Sequence, residues 1–166
     1  MTRSLPVEPL TREAFAPFGQ VIDTDGAERF AINQGTATRF HRLAAVEAGD
    51  GGRAILSIFR ATARPAPFAI SLLERHPLAS QAFVPLSDHD WLVVVAERPE
   101  TAALRCFCAG GRQGVQYAPG VWHHPLLVLV PEQDFLVVDR EGPGDSLGDN
   151  LEEVVLRTAA RIDGHL

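Results

Sequence analysis

Apolar residues fall along this chain in short bursts, each closed by a polar or turn-forming stretch. The bursts "FAINQG", "TRFHRLA", "AILSIFRA", "FAISLLERH", "AFVPL", "DWLVVVAE", "ALRCFCA", "GVQYAP", "HPLLVLVP" and "DFLVVDR" are rich in Val, Ile, Leu and Phe. Between them lie "EAGDGG", "TARPAP", "PLSDHD", "ERPE", "AGGRQG" and "PEQ". β-Branched and aromatic runs bounded by Gly, Pro, Asn and Asp read as strands joined by turns. A series of them predicts a mainly β chain, a sandwich or a small antiparallel barrel with few short helices. Helical periods do not alternate with the strands, so a doubly wound or TIM-type sheet is excluded. Two segments leave this rhythm. "LTREAFAPFGQVI" predicts a short helix capped by Thr11, with Glu13 in its first turn and Gly19 at its end. After a polar Gly/Pro loop that follows Arg140, "NLEEVVLRTAARI" predicts a helix with Asn150 as cap and Glu153 three residues on. The alternative for that tail is an edge strand over "EEVVLR"; the pattern favours the helix.

The 166 residues suit one domain with one sizeable core, so residues 1–166 are read as a single unit. Apolar residues make up 46% and charged residues 22%, a soluble globular balance. The net charge of −6 offers no basic stripe to neutralise phosphates, so neither a nucleic acid nor an anionic membrane is expected as partner. Cys106 and Cys108 in "RCFCA" read as small buried hydrophobes rather than a bridge or a metal pair. The start "MTRSLPVEPL" has no apolar leader and no run reaches the length of a membrane span, which predicts a cytoplasmic protein.

Candidate chemistry sits in two stretches. In "LLERHPLASQAFVP", Glu74 and His76 share a face if the chain is extended, because side chains alternate with period two. Pro77 then allows a bend and Gln81 follows. A carboxylate beside an imidazole can hold a divalent metal or work as an acid–base couple. In "YAPGVWHHPL", Gly120 allows a sharp turn before two adjacent histidines. An extended chain would point them to opposite faces, His123 toward Glu74 and His76, His124 with Trp122 toward structure. Elsewhere, Arg60 ends an apolar strand, and its planar fork suits a carboxylate. Asn33, Gln34, Gly35, Arg39 and His41 crowd a hairpin-like stretch, in which turn chemistry alone explains Asn33 and Gly35.

Taken together, Glu74, His76 and Gln81, followed by Gly120 through His123, are similar to the two-motif signature of cupins. In cupins four such side chains converge inside a double-stranded β-helix, a small antiparallel barrel. Here Glu74 replaces the usual first histidine and Gln81 the usual glutamate. Glutamine is a neutral, weak ligand, so the ligand set Glu74, His76, Gln81 and His123 leaves open whether a metal is held. More specifically, "AINQGTATRFH", "SIFRA", "ERHPLASQAFVP", "GVQYAPGVWHHPL" and "DFLVVDR" resemble the ureidoglycolate lyase family, from about residue 5 to Arg140. The resemblance implies a homodimer that cleaves (S)-ureidoglycolate to glyoxylate and urea in allantoin breakdown. It also implies a divalent metal, nickel in particular, with zinc or no metal as alternatives. On that reading His76, His123 and Glu74 are catalytic, while Arg60, Arg39, Asn33 and Gln81 bind substrate. The competing functions are an amidohydrolase that releases ammonia and a non-catalytic cupin that binds a small carboxylate. A general cupin oxygenase or sugar isomerase would call for histidine at position 74 and an acid at position 81.

Overall fold

The computed structural model describes residues 2–143 and 150–163. Among them run fifteen strands and one short helix: β1 (Arg3–Ser4), β2 (Val7–Pro9), α1 (Arg12–Phe15), β3 (Gly19–Ile22), β4 (Arg29–Ile32), β5 (Ala37–Phe40), β6 (Arg53–Thr62) and β7 (Phe68–Arg75). There follow β8 (Gln81–Pro85), β9 (Trp91–Ala96), β10 (Leu104–Ala109), β11 (Gly114–Tyr117), β12 (Trp122–His123), β13 (Leu127–Val128), β14 (Glu132–Glu141) and β15 (Glu152–Ile162). One sheet has the order β1-β15-β7-β12-β9-β10-β2, with β13 also on β9; the second has the order β3-β11-β8-β14-β6. All their pairings are antiparallel except β1 with β15 and β2 with β10. This is the mainly β, largely antiparallel architecture expected from the strand rhythm. Strands β4 and β5 form a separate two-stranded arm. No helix of the described residues is long and apolar enough to cross a membrane.

Strand β9 shows why the sheets hold together. Its six residues WLVVVA are all buried, and their alternation feeds two cores. Trp91, Val93 and Val95 join Phe83, Tyr117, Phe135 and Val137 between the two sheets. Leu92, Val94 and Ala96 join Ile70, Leu73, Leu104, Trp122, Leu156 and Ile162 on the other face. That second core forms because the larger sheet curls until β15 and β7 meet β9 and β10. A strand buried on both faces reads as a continuous apolar run rather than an alternating one. Cys106 and Cys108 are free thiols, the first buried in this second core.

Three expectations are corrected. The tail is a strand, not a helix: β15 lies between β1 and β7, with a register shift between Val155 and Ala160. The open edge of β7 offers a row of unpaired N–H and C=O groups, and satisfying these outweighs helix propensity. Of the polar loop after Arg140, residues 144–149 lie outside the described residues. Second, "HPLLVLVP" is not one strand, because the backbone breaks between His123 and Leu127. Pro125 has no N–H to give the ladder and restricts the residue before it. Third, Thr11 does cap α1, its Oγ1 accepting from Ala14 N at 3.1 Å, but the helix ends by Pro17 and Gly19 begins β3. At Gly19 φ is +148°, and a Cβ there would lie 1.9 Å from the Gln116 carbonyl oxygen. This glycine therefore serves the close approach of β3 to β11.

Candidate active site

β12 is inserted between β7 and β9, and its register puts His123 directly opposite Glu74. Opposed residues of an antiparallel pair share a face, and here His123 Nε2 lies 3.5 Å from Glu74 Oε1. β7 stops at Arg75, before Pro77, and the chain turns so that the His76 ring comes within 5.5 Å of the His123 ring, centre to centre. One ligand atom from each of Glu74, His76 and His123 lies within 4.8 Å of the others.

Backbone carbonyls orient both rings. His76 Nδ1 is 2.8 Å from the Asn150 carbonyl oxygen, and His123 Nδ1 is 2.9 Å from that of Val121. A carbonyl only accepts, so each Nδ1 carries the proton and each Nε2 keeps its lone pair. Both Nε2 atoms are buried and have no hydrogen-bond partner among the described residues. Gln81 Oε1 shares that condition. Gln81 pairs in register with Tyr117, whose ring stacks on His123, so all three lie on the inner face. Buried acceptors without donors cost free energy unless something satisfies them. Several acceptors beside a carboxylate form the donor set a divalent cation takes. Glu74, His76 and His123 fit such an ion.

The electrostatics agree with an acid–base centre. Burial alone would raise the Glu74 carboxyl, but the His123 ring 3.5 Å away and the surrounding histidines outweigh burial and hold it below its ordinary value. Burial pushes His76 down, against the pull of the Asn150 carbonyl. Burial likewise takes His124 down to about 4, helped by the charges of Arg64 and His123. Burial and the Glu74 charge push the Tyr117 phenol well up, so it stays neutral.

A cavity of about 580 Å³ opens over this group, lined by Phe59, Arg60, Arg64, Glu74, Phe83, Tyr117, His123 and His124 among others. That volume is within the usual range for small-molecule sites. Trp122 faces the second core as expected, under the Arg75 guanidinium at 4.5 Å. His124 departs from expectation: it lines the same cavity as His123. The ladder ends at His123, so strict alternation no longer governs the next side chain. Arg60 lines the cavity too, but Asp134 takes its fork bidentately, Nε to Oδ1 at 2.8 Å and a terminal nitrogen to Oδ2 at 2.9 Å. Arg39 sits on β5 and Asn33 in the turn of the arm at φ +51°, both exposed and outside the cavity lining.

Three contributors escaped sequence reasoning. Asn150 reads as a helix cap yet presents its carbonyl to His76. Tyr117 reads as one more strand aromatic, and Arg64 as part of a turn. Only the spacing of "GVQYAP" just before the histidines hinted at the tyrosine.

Residues 2–163 match the family described as ureidoglycolate lyase. The chain belongs to the ureidoglycolate lyase family. The match runs through β15, so the family pattern does not stop near Arg140 as the quoted motifs suggested. Relatives named ureidoglycolate lyase include one from Pseudomonas syringae pv. syringae, 56% identical over 152 residues and covering 89% of each chain. Another, from Pseudomonas savastanoi pv. phaseolicola, is 54% identical over 89% of each chain. A third, from Pseudomonas fluorescens, is 53% identical over 89% of this chain and 91% of its own. Among solved structures, an oxalate decarboxylase of Bacillus subtilis aligns at 13% identity with a TM-score of 0.39, over 71% of this chain and 31% of its own.

Proposed function

We propose that this member of the family is a ureidoglycolate lyase that cleaves (S)-ureidoglycolate to glyoxylate and urea. Family membership supports the reaction, and one structural observation supports the site: two buried imidazole Nε2 atoms converge with the Glu74 carboxylate, and of these groups Glu74 and His123 line the cavity.

The substrate carbon bears a hydroxyl, a carboxylate and a ureido nitrogen. Its cleavage breaks the C–N bond and turns the C–O bond into a carbonyl, while one proton moves from oxygen to nitrogen. With no metal bound, His123 Nε2 takes the hydroxyl proton. Glu74 Oε1, 3.5 Å away, stabilises the imidazolium that results. The electron pair of the C–N bond leaves on nitrogen, and His123 returns the proton there, so urea departs neutral. Val121 holds the ring in the tautomer this requires, and Tyr117 holds its plane. His76 offers a second bare Nε2, its ring 5.5 Å from that of His123 and outside the cavity lining. A divalent metal held by Glu74, His76 and His123 would occupy the His123 lone pair and would instead supply Lewis acidity to the hydroxyl; by family resemblance that metal is nickel.

We further infer a cytoplasmic homodimer. Free thiols at Cys106 and Cys108 suit a reducing compartment. Leu56 (70% exposed) and Ile58 (56% exposed) stand on β6, the edge strand of the second sheet. Phe30, Ile32 and Phe40 are exposed on the β4–β5 arm. A lone two-stranded ribbon is marginal in water, and a long apolar edge invites pairing. Light scattering on the purified protein tests the dimer; a monomer at micromolar concentration overturns it.

The reaction is tested by incubating the protein with (S)-ureidoglycolate, before and after chelation, and quantifying glyoxylate, urea and ammonia. Glyoxylate with equimolar urea is expected. Ammonia without urea would instead favour an amidohydrolase.

A further inference from the structure

The site as described has a charge problem. The Glu74 carboxyl group lines the cavity, and the substrate is itself a carboxylate. A divalent ion on Glu74, His76 and His123 would answer the Glu74 charge, so the substrate carboxylate calls for a cation of its own. Two guanidinium groups line the cavity, those of Arg60 and Arg64.

Arg60 is already committed. The edge formed by its Nε and one terminal nitrogen meets both oxygens of Asp134, and Glu132 stands 3.4 Å from its Nε. The register of β6 on β14 places Asp134 directly opposite it, so the pair is fixed by the sheet. A third carboxylate would approach a neutralised fork. Arg64 differs: it has no hydrogen bond and no ion pair among the described residues. Pro65 follows it and favours an extended backbone at Arg64. Its cavity wall also includes His124, whose ring feels its charge.

We propose that Arg64 anchors the substrate carboxylate, in the role the sequence suggests for Arg60. This rests on reading the cavity as a ureidoglycolate site. The free fork receives the carboxylate, and the carbon that bears the hydroxyl and the ureido group then faces Glu74 and His123. A bidentate guanidinium–carboxylate pair fixes orientation as well as affinity. The site accordingly takes small 2-hydroxy and 2-oxo acids, and it discriminates against the corresponding neutral amides.

The test compares Arg64→Ala, Arg64→Lys and Arg60→Ala with the wild type, with Arg53→Ala as control. Arg53 also lies on β6, but it pairs with Glu141 outside the cavity. Steady-state kinetics on (S)-ureidoglycolate and calorimetric binding of glyoxylate are both measured. Arg64→Ala should raise KM and weaken glyoxylate binding roughly tenfold or more, with Arg64→Lys recovering part of the loss. Arg53→Ala should stay within about twofold. Arg64→Ala should also narrow the preference for glyoxylate over glyoxylamide. Unchanged glyoxylate affinity in Arg64→Ala overturns the proposal, as does a larger loss in Arg60→Ala. If the wild type makes no glyoxylate and urea, the function reading fails by itself, and the glyoxylate titrations still decide the role of Arg64.

Discussion

The Tyr117 ring lies flat against the His123 ring, with centroids 4.1 Å apart and planes 10° from parallel. The phenol belongs to β11 and the imidazole to β12, so this contact joins the second sheet to the first across the core. It makes His123 part of the packing.

Tyr117→Phe keeps the stacked ring and should retain folding and most activity. Tyr117→Ala removes a buried aromatic and should cost about 3–5 kcal/mol. At this chain length that lowers Tm by roughly 10 °C. Thermal melts of both variants decide it; equal melts would mean that the stack contributes no stability.

His76 and His123 each present a bare Nε2 to the site. His76→Ala and His123→Ala should each lower kcat by about 100-fold or more while leaving circular dichroism unchanged. Full activity in a folded His123→Ala protein would remove it as the base.

Glu74→Gln keeps the shape and removes the charge. The affinity for divalent ions, measured by calorimetry on chelator-stripped protein, should fall at least about tenfold. Identical titrations for wild type and Glu74→Gln would show that the carboxylate is no ligand.

Stability should depend on pH through His124. Burial, first, takes its folded pKa down to about 4, against about 6.5 in an unfolded chain. Above pH 6.5 the ring is neutral in both states and the full stability is present. As pH falls toward 4 the unfolded chain takes up a proton that the native state declines, so stability is lost, about 3 kcal/mol in all. His76 is shifted in the same direction and adds to the loss. Urea midpoints between pH 7.5 and 4.5 should decline, with a shallower decline in His124→Phe. A flat wild-type profile would contradict the shift.

β15 lies inside its sheet, so cutting the chain after Arg140 should give insoluble protein rather than an enzyme with altered KM. Ile162 is fully buried, and Ile162→Ala should cost about 2–4 kcal/mol by denaturant titration. A soluble, active truncation would show that β15 is dispensable.

The arm shows where local reading stops. Hairpin residues were legible around Asn33 and Gly35 because turn chemistry is local. Whether Arg39 reaches a site depends on what covers the arm, and no local pattern records that. Arg60 and Arg64 make the same point. Both are arginines near the end of one apolar run, and only the register against Asp134 separates the occupied fork from the free one.

What the sequence by itself determined is whatever period and spacing control: a mainly β chain, two histidine-bearing motifs, and Glu74, His76 and His123 as candidates that the fold brings together. Those signals are local, carried by side-chain alternation and by proline and glycine punctuation. The tertiary structure decided the rest. It made the tail a strand, because an open sheet edge needed partners more than the segment needed a helix. It turned His124 inward, because the ladder ends at His123, before Pro125. It brought the Asn150 carbonyl and the Tyr117 ring to two imidazoles, because long-range pairing chooses neighbours that sequence separation does not encode.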